Sequence, residues 1–236
     1  MTHNDVKKII IPQDKRVSVV ICTFNEERNL PYVLKKLPPW VFEVIMVDGN
    51  SKDNTVKIAK ELYPSIKILY QPGKGKGDAL TYGFDNALGD IIIALDADGS
   101  TDPNELFRFV QPLTEDYGMC KGSRFIKGGS SEDISRFRIF GNWVFTQLTN
   151  LMFGSKYSDL AYGYFGFTQE AWKRIQPKSD GFAIETEINI KAIKRGIKTI
   201  EVPSQEKRRL YGEGKLHSFR DGWKILVTIF KERLSS

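Results

Sequence analysis

Residues 90–100 read Asp-Ile-Ile-Ile-Ala-Leu-Asp-Ala-Asp-Gly-Ser, and the fold turns on how that stretch divides. The apolar run 91–95, rich in β-branched Ile and with no polar residue at alternate positions, describes a strand buried on both faces. Side chains alternate across a strand, so Asp96 and Asp98 are expected to point one way and Ala97 the other. Two carboxylates held that close repel unless a cation lies between them. Mg²⁺ suits such a pair, because it binds one or two carboxylates while phosphates and water fill its other positions. The plain structural reading is a strand-end turn, which Asp and Gly commonly form.

Outward from this segment the pattern repeats. Residues 17–22 (VSVVIC), 43–47 (EVIMV) and 66–70 are short apolar runs that end in polar turns. Between them lie helical stretches at 26–37, 52–62 and 78–88. The first carries Leu30, Val33, Leu34 and Leu37 at helical spacing and is stopped by Pro38-Pro39. Nearly all-apolar strands alternating with helices imply an α/β fold, a mostly parallel central sheet with helices on both faces. Ligands in such sheets bind beyond the carboxyl ends of the strands, here 23–26, 48–54 and 96–100. Past about residue 118 the pattern changes. A Gly/Ser-rich loop at 127–131 leads to an arginine cluster and a long apolar stretch at 139–153. A helix near 185–195, a strand at 199–202 and a basic tail follow. Without an internal repeat or linker, 1–236 is expected to form a single domain, the second half extending the same sheet.

The composition, 41% hydrophobic and 27% charged, is that of a globular chain rather than a disordered one. Cys22 and Cys120 lie in apolar runs without metal-ligand spacing, so each reads as a reduced buried thiol, which suits a cytoplasmic protein. The start, polar over residues 1–5, does not resemble a secretory leader. No apolar run approaches the roughly 20 residues that span a bilayer. The formal charge of +6 is concentrated after residue 190, which suggests an anionic partner or else a solvated helix face. Nucleic acid is not the expected partner, since no recognised binding motif accompanies the charge.

Two further segments carry polar chemistry. Residues 48–53 (Asp-Gly-Asn-Ser-Lys-Asp) close the second strand. Ser51 and Asp53 are sufficiently explained as helix caps, whereas Asp48 leans toward ligand contact. The run Gly73-Lys74-Gly75-Lys76-Gly77 is open to two readings, a phosphate cradle or a surface turn, and lacks P-loop spacing.

Taken in order, VSVVICTFNEERNL, EVIMVDGNSKDNT, GKGKGDAL, DIIIALDADGSTDP, GSRF, DLAYGYFGF, FAIETEI and EVPS resemble the family 2 inverting glycosyltransferases of GT-A fold. That Rossmann-like fold serves nucleotide-diphospho-sugar transferases. The nearest subgroup is the polyprenyl (dolichyl) phosphate mannosyl- and glucosyltransferases, through residues 122–125, Asp159 with Gly163, and 209–216 (RLYGEGKL). The resemblance implies a donor- and metal-binding half at 1–117 and an acceptor half at 118–236. It implies nucleotide-sugar contacts from Thr23, Asn25, Glu26, Asp48, Lys76, Asp96, Ala97 and Asp98. It further implies Mg²⁺ or Mn²⁺ at Asp96, Asp98 and Ser100, and catalytic roles for Asp98, Asp159, Glu187, Arg124 and Arg209. Arg124, Arg136, Arg138, Arg209 and Lys215 would face an acceptor phosphate. Gly49 stands where the family usually has a second Asp, so the base of the donor (GDP-, UDP- or dTDP-sugar) stays open, and Gly214 stands where it has Ser, so the geometry of acceptor binding stays open.

An inverting transfer to a phosphate acceptor needs little base catalysis, because a phosphate monoester, with a second pKa of about 6, is mostly ionised at neutral pH. A hydroxyl acceptor would need a carboxylate, with Asp159, Glu185 and Glu187 as candidates and Glu187 the best positional fit. The arginine cluster favours a polyprenyl phosphate over a soluble metabolite, peptide or glycan. The stretch 139–153 and the face Trp223, Leu226, Val227, Phe230, Leu234, flanked by Arg220, Lys224, Lys231 and Arg233, have the composition of helices in an anionic interface. Packing on the sheet is the bland alternative. A peripheral position on the cytoplasmic face of a membrane is the expectation.

Overall fold

The structure, a computed structural model, describes residues 15–214 and 216–235. Seven strands form one sheet in the order β3-β2-β1-β4-β7-β5-β8. The strands are β1 (Val17–Thr23), β2 (Glu43–Asp48), β3 (Lys67–Tyr70), β4 (Ile91–Asp96), β5 (Met119–Ser123), β7 (Phe165–Thr168) and β8 (Thr199–Pro203). Two-residue strands β6 (Ser130–Ser131) and β9 (Gln205–Glu206) pair separately. All strands of the large sheet run parallel except β7, which is antiparallel to β4 and β5. Strands from both halves of the chain therefore share one sheet. The first four strands lie where the apolar runs put them, but the reversed strand has no signature in the residue pattern.

The helices are α1 (Leu30–Leu34), α2 (Thr55–Leu62), α3 (Lys76–Asp85), α4 (Leu106–Leu113), α5 (Arg136–Phe153), α6 (Gln169–Ile175), α7 (Ile184–Lys194) and α8 (Ser218–Leu234). Alternation along the strands feeds two cores. Val19, Ile21 and Met46 pack with Leu30, Ala59 and Phe109 from α1, α2 and α4. Val20, Ile45 and Val47 pack on the other face with Leu80, Trp172 and Ile188 from α3, α6 and α7. The first predicted helix, over 26–37, is shortened to α1. Glu26 and its neighbours form a turn instead, because Asn25 at φ 56° is left-handed and Pro31 supplies the helix start.

α5 and α8 pack outside this sandwich. With α7 they bury Tyr157, Leu160, Ile190, Ile225 and Ile229. α5 is capped by the Ser135 hydroxyl and ends at left-handed Gly154. Its inner side mixes polar residues with the partly buried Phe145, Leu148, Met152 and Phe153. Asn142, Thr146 and Thr149 are buried, while Phe140 (62%), Trp143 (57%) and Leu151 (84%) are exposed. On α8, Phe219, Trp223, Phe230 and Leu234 are exposed too. The exposed charges on both helices are all basic (Arg136, Arg220, Lys224, Lys231, Arg233), and their two acids, Asp221 and Glu232, are buried. Among the described residues no helix is long and apolar enough to cross a membrane.

Candidate active site

The carboxyl ends of β1 to β5 and β8 open on a cavity of about 590 Å³. This is the rim where α/β sheets bind ligands, and the volume is that of a small-molecule site. Thr23, Glu26, Asp96, Ala97, Asp98 and Ser100 line its donor side. Asp96 closes β4 and faces the cavity by strand alternation. Asp98 arrives there differently, since the strand has ended and a turn through Gly99 at φ +79° carries it. That turn is fixed by Ser100 N donating to Asp98 Oδ1 at 2.9 Å. Ala97 drops into the core below.

Three cations hold the site's acids. Lys76 Nζ lies 3.1 Å from Asp96 Oδ1 and 2.9 Å from Glu185 Oε1. Burial alone would lower the Lys76 pKa, but the charges of Asp96 and Glu185 outweigh it and hold it well above its ordinary value. Arg209 donates to Glu26 at 3.1 Å and to Asp98 at 2.8 Å. Arg124 donates to Asp159 Oδ2 at 2.8 Å and Oδ1 at 2.9 Å, to both oxygens of Glu206, and to Ala161 O at 3.1 Å. Each cation thus sits between two carboxylates. That surplus of negative charge, with the hard oxygens of Asp96, Asp98 and Ser100 on one wall, fits Mg²⁺ or Mn²⁺. Among the described residues no three His, Cys, Asp or Glu side chains form a ready metal cage. An ion whose shell is completed by phosphate and water needs none.

Several expected contacts are corrected by this geometry. Asp159 is fully buried and does not line the cavity. Burial opposes its charge, yet the Arg124 guanidinium keeps its carboxyl below the ordinary aspartate range. Its carboxylate faces the Arg124 guanidinium rather than the cavity. Its loop is held in turn by buried Lys121, whose ammonium bonds Asp159 O, and by Glu201, which accepts from Ser158 N at 2.9 Å. Arg124 lines the cavity, with Nε and both terminal nitrogens engaged by Asp159, Glu206 and Ala161 O, so its guanidinium is held chiefly by the protein's own oxygens. Glu187 points away, accepting from Lys178 N at 2.9 Å and Ser179 N at 2.7 Å. Two helical positions earlier the chain has turned through about 200°, and Glu185 is the acid in the cavity.

Asp48 is 1% exposed, and its oxygens accept from Ser51 N, Ser51 Oγ and Thr23 Oγ1; Gly49 beside it lines the cavity instead. Asn25 fixes the neighbouring loop by accepting from Lys52 N at 2.8 Å. Arg136 begins α5 outside the cavity, whereas Arg138 lines it, held by Leu216 O at 3.0 Å. Lys215 lies outside the described residues. The glycine run is not a free phosphate cradle. Gly77 N and Asp78 N both donate to Asp180 O, and a Cβ on Gly75 or Gly77 would meet Asp180 O at 2.4 Å or Ser179 O at 2.0 Å. Those glycines let the 179–181 loop touch the start of α3.

Glu206 and Gln71 also line the cavity without any motif to mark them, and Arg220, read from the sequence only as a flank of the apolar face, lines it too. Glu206 has no local signal, since only the β5–β8 pairing brings it to Arg124. Cys22 lines the cavity as well, and burial pushes its thiol pKa up to about 12, so it stays protonated.

Residues 18–176 match the model of glycosyl transferase family 2. Glycosyltransferase AglJ of Haloferax volcanii is 30% identical over 226 residues, covering 94% of this chain and 73% of its own. A dolichol-phosphate mannosyltransferase of Pyrococcus furiosus is 30% identical over 216 residues, 85% of this chain and 59% of its own. Among solved structures, glucosyl-3-phosphoglycerate synthase of Mycobacterium tuberculosis, in complex with Mn²⁺, UDP and glucosyl-3-phosphoglycerate, superposes with a TM-score of 0.74. It is 20% identical, over 93% of this chain and 80% of that one. The GT-A sheet read from the strands is thus matched in three dimensions, and the chain belongs to glycosyl transferase family 2, as a glycosyltransferase.

Proposed function

We propose that the protein transfers one hexose, with inversion, from a nucleotide diphosphate sugar to a polyprenyl phosphate at a membrane surface. The observation that carries this reading is the acceptor end of the cavity. There Arg138 and Arg220 stand beside the apolar side chains of Phe137, Phe145 and Ile225, and the apolar wall continues outside as the exposed face of α5 and α8. A phosphate on a hydrocarbon chain requires that pairing of cation with apolar wall, whereas a sugar or phosphoglycerate does not. Aromatics framed only by basic charges also suit an anionic bilayer surface. The name of the Pyrococcus furiosus relative supports the acceptor class. The Mn²⁺ and UDP of the Mycobacterium tuberculosis complex support the donor class and the metal.

In this reading Asp96, Asp98 and Ser100 would hold Mg²⁺ or Mn²⁺, and the ion would supply Lewis-acid neutralisation of the leaving diphosphate. Arg209, fixed by Glu26 and Asp98, and Lys76, anchored by Glu185, add positive charge at that place. Asp159 and Glu206 keep Arg124 rigid beneath the acceptor, and Arg138 and Arg220 orient an acceptor phosphate already ionised at neutral pH. Donor- and acceptor-binding halves at 1–117 and 118–236 follow from the same division. A second reading, transfer to a soluble hydroxyl, draws on Glu185, a cavity carboxylate able to serve as base.

The test is incubation of labelled GDP-, UDP- and dTDP-sugars, with Mg²⁺ or Mn²⁺, and vesicles containing polyprenyl phosphate. Label is expected in the organic phase, and only when a divalent cation is present. Label that remains water-soluble with every donor, in a product that forms without the lipid, would replace this reading with the second.

A further inference from the structure

Lys76 already occupies, electrostatically, the place that a divalent cation takes in the reading above. Its ammonium lies 3.1 Å from Asp96 and 2.9 Å from Glu185. Its backbone cannot drift, because the residues on either side are pinned against the 179–181 loop. The pair with Glu185 has cleared space of its own. A Cβ on Gly163 would lie 2.5 Å from Lys76 Nζ and 2.6 Å from Glu185 Oε1. Glu185 is thus a second anchor for the ammonium, independent of Asp96. Arg209 stands in the same relation to Asp98 and Glu26.

Resting on the metal assignment above, we propose that Lys76 is a resident counter-ion that yields Asp96 to the divalent cation only when a diphosphate arrives to receive the ammonium. Without a nucleotide, an incoming ion must displace Lys76 from one of its two acids and give it nothing in return. With a diphosphate present, the displaced ammonium gains phosphate oxygens. Metal and nucleotide thus bind as a coupled pair, and the coupling is reciprocal.

The experiment measures Mn²⁺ binding to the full chain by the loss of the free-ion EPR signal, with no nucleotide and with UDP or GDP. Lys76→Gln is expected to bind Mn²⁺ about tenfold more tightly than wild type without nucleotide, and the gain on adding nucleotide should shrink by a similar factor. Lys76→Met, which has no hydrogen-bonding group, should do the same, and far-UV CD with thermal melting checks that both variants fold. Arg138→Gln removes a cation from the same cavity but from neither β4-end acid, so it should change nucleotide-free affinity less than about twofold. An Arg138→Gln effect as large as that of Lys76→Gln would reduce the matter to bulk charge and overturn the proposal. So would unchanged affinity in both Lys76 variants while wild type still binds Mn²⁺ with nucleotide, an outcome that leaves the metal assignment standing. Absence of Mn²⁺ binding by wild type even with nucleotide would remove both.

Discussion

At the end of β4 the chain buries Ile93, Leu95 and Ala97 and leaves Asp96 and Asp98 to the cavity. Along α5 it buries Asn142, Thr146 and Thr149 and leaves Phe140, Trp143 and Leu151 outside. Hydrophobic burial explains the first region completely. The second defies it unless the outer face meets another apolar phase, since contiguous exposed apolar surface is characteristic of an interaction site. Two of its three buried polar side chains are satisfied by the 154–164 loop: Asn142 bonds both Asp159 Oδ1 and Ala161 N, and Thr146 Oγ1 accepts from Leu160 N, whereas the buried Thr149 hydroxyl has no partner among the described residues. One region is shaped by the fold's own core, the other by what it holds on each side.

The comparison can be broken most severely at Asp159. Asp159→Asn leaves the buried Arg124 short of one charge, and equilibrium unfolding should register a loss of about 3–5 kcal/mol at neutral pH. Because its folded pKa lies below the ordinary 3.8, the Asp159 contribution is complete above that pH. It disappears as pH falls through the depressed folded value, so the gap between wild type and variant should close only in that acid range. At the other pole, Asp98→Asn should reduce turnover about 10²–10³-fold, as loss of one transition-state charge contact does. Its melting temperature should stay close to wild type, since Asp98 is partly exposed and Arg209 retains Glu26. A large stability loss there would erase the contrast between the two acids.

The α5–α8 face is sharpened by Trp143→Ser combined with Phe219→Ser. Co-sedimentation with anionic vesicles should weaken about 10²-fold, at roughly 1.5 kcal/mol for each aromatic withdrawn from lipid. Melting should be unaffected, because both side chains are exposed. The smallest effect belongs to Glu187→Gln. One loop N–H loses its acceptor, costing about 1–3 kcal/mol of stability, with turnover little changed. If turnover instead fell further than in Glu185→Gln, the orientation of α7 described above would be wrong.

What could be read before any coordinates divides along the same line. The first four strands and the placement of Asp96 and Asp98 at the ligand rim depend on residues adjacent in sequence, and strand alternation reports such residues directly. The β7 reversal, the Arg124–Asp159–Glu206 cluster and the Lys76–Glu185 pair join residues between 35 and 109 positions apart. No local period encodes them. Glu185 and Glu187 illustrate the limit closely. Both acids sit in the first turn of α7 and either satisfies a helix-terminus rule, so only the tertiary position of α7 distinguishes the one facing the cavity. The glycines at 75 and 77 looked like a phosphate motif for a related reason. The need for closeness is visible in composition, but the partner that comes close is not.

The reversed strand has a consequence for how such a protein diversifies. Every parallel strand delivers its trailing loop to the ligand rim, but β7 delivers its leading one, so residues 154–164 reach that rim between two well-anchored elements, α5 and β7. The connection is a clamp as well as a lining, because Asp159, Leu160 and Ala161 tie α5 and Arg124 together. Any variation in the wall supplied by Ala161, Tyr162 and Gly163 must therefore be accommodated by α5 at the same time, while the strands on the other side of β4 are left as they stand.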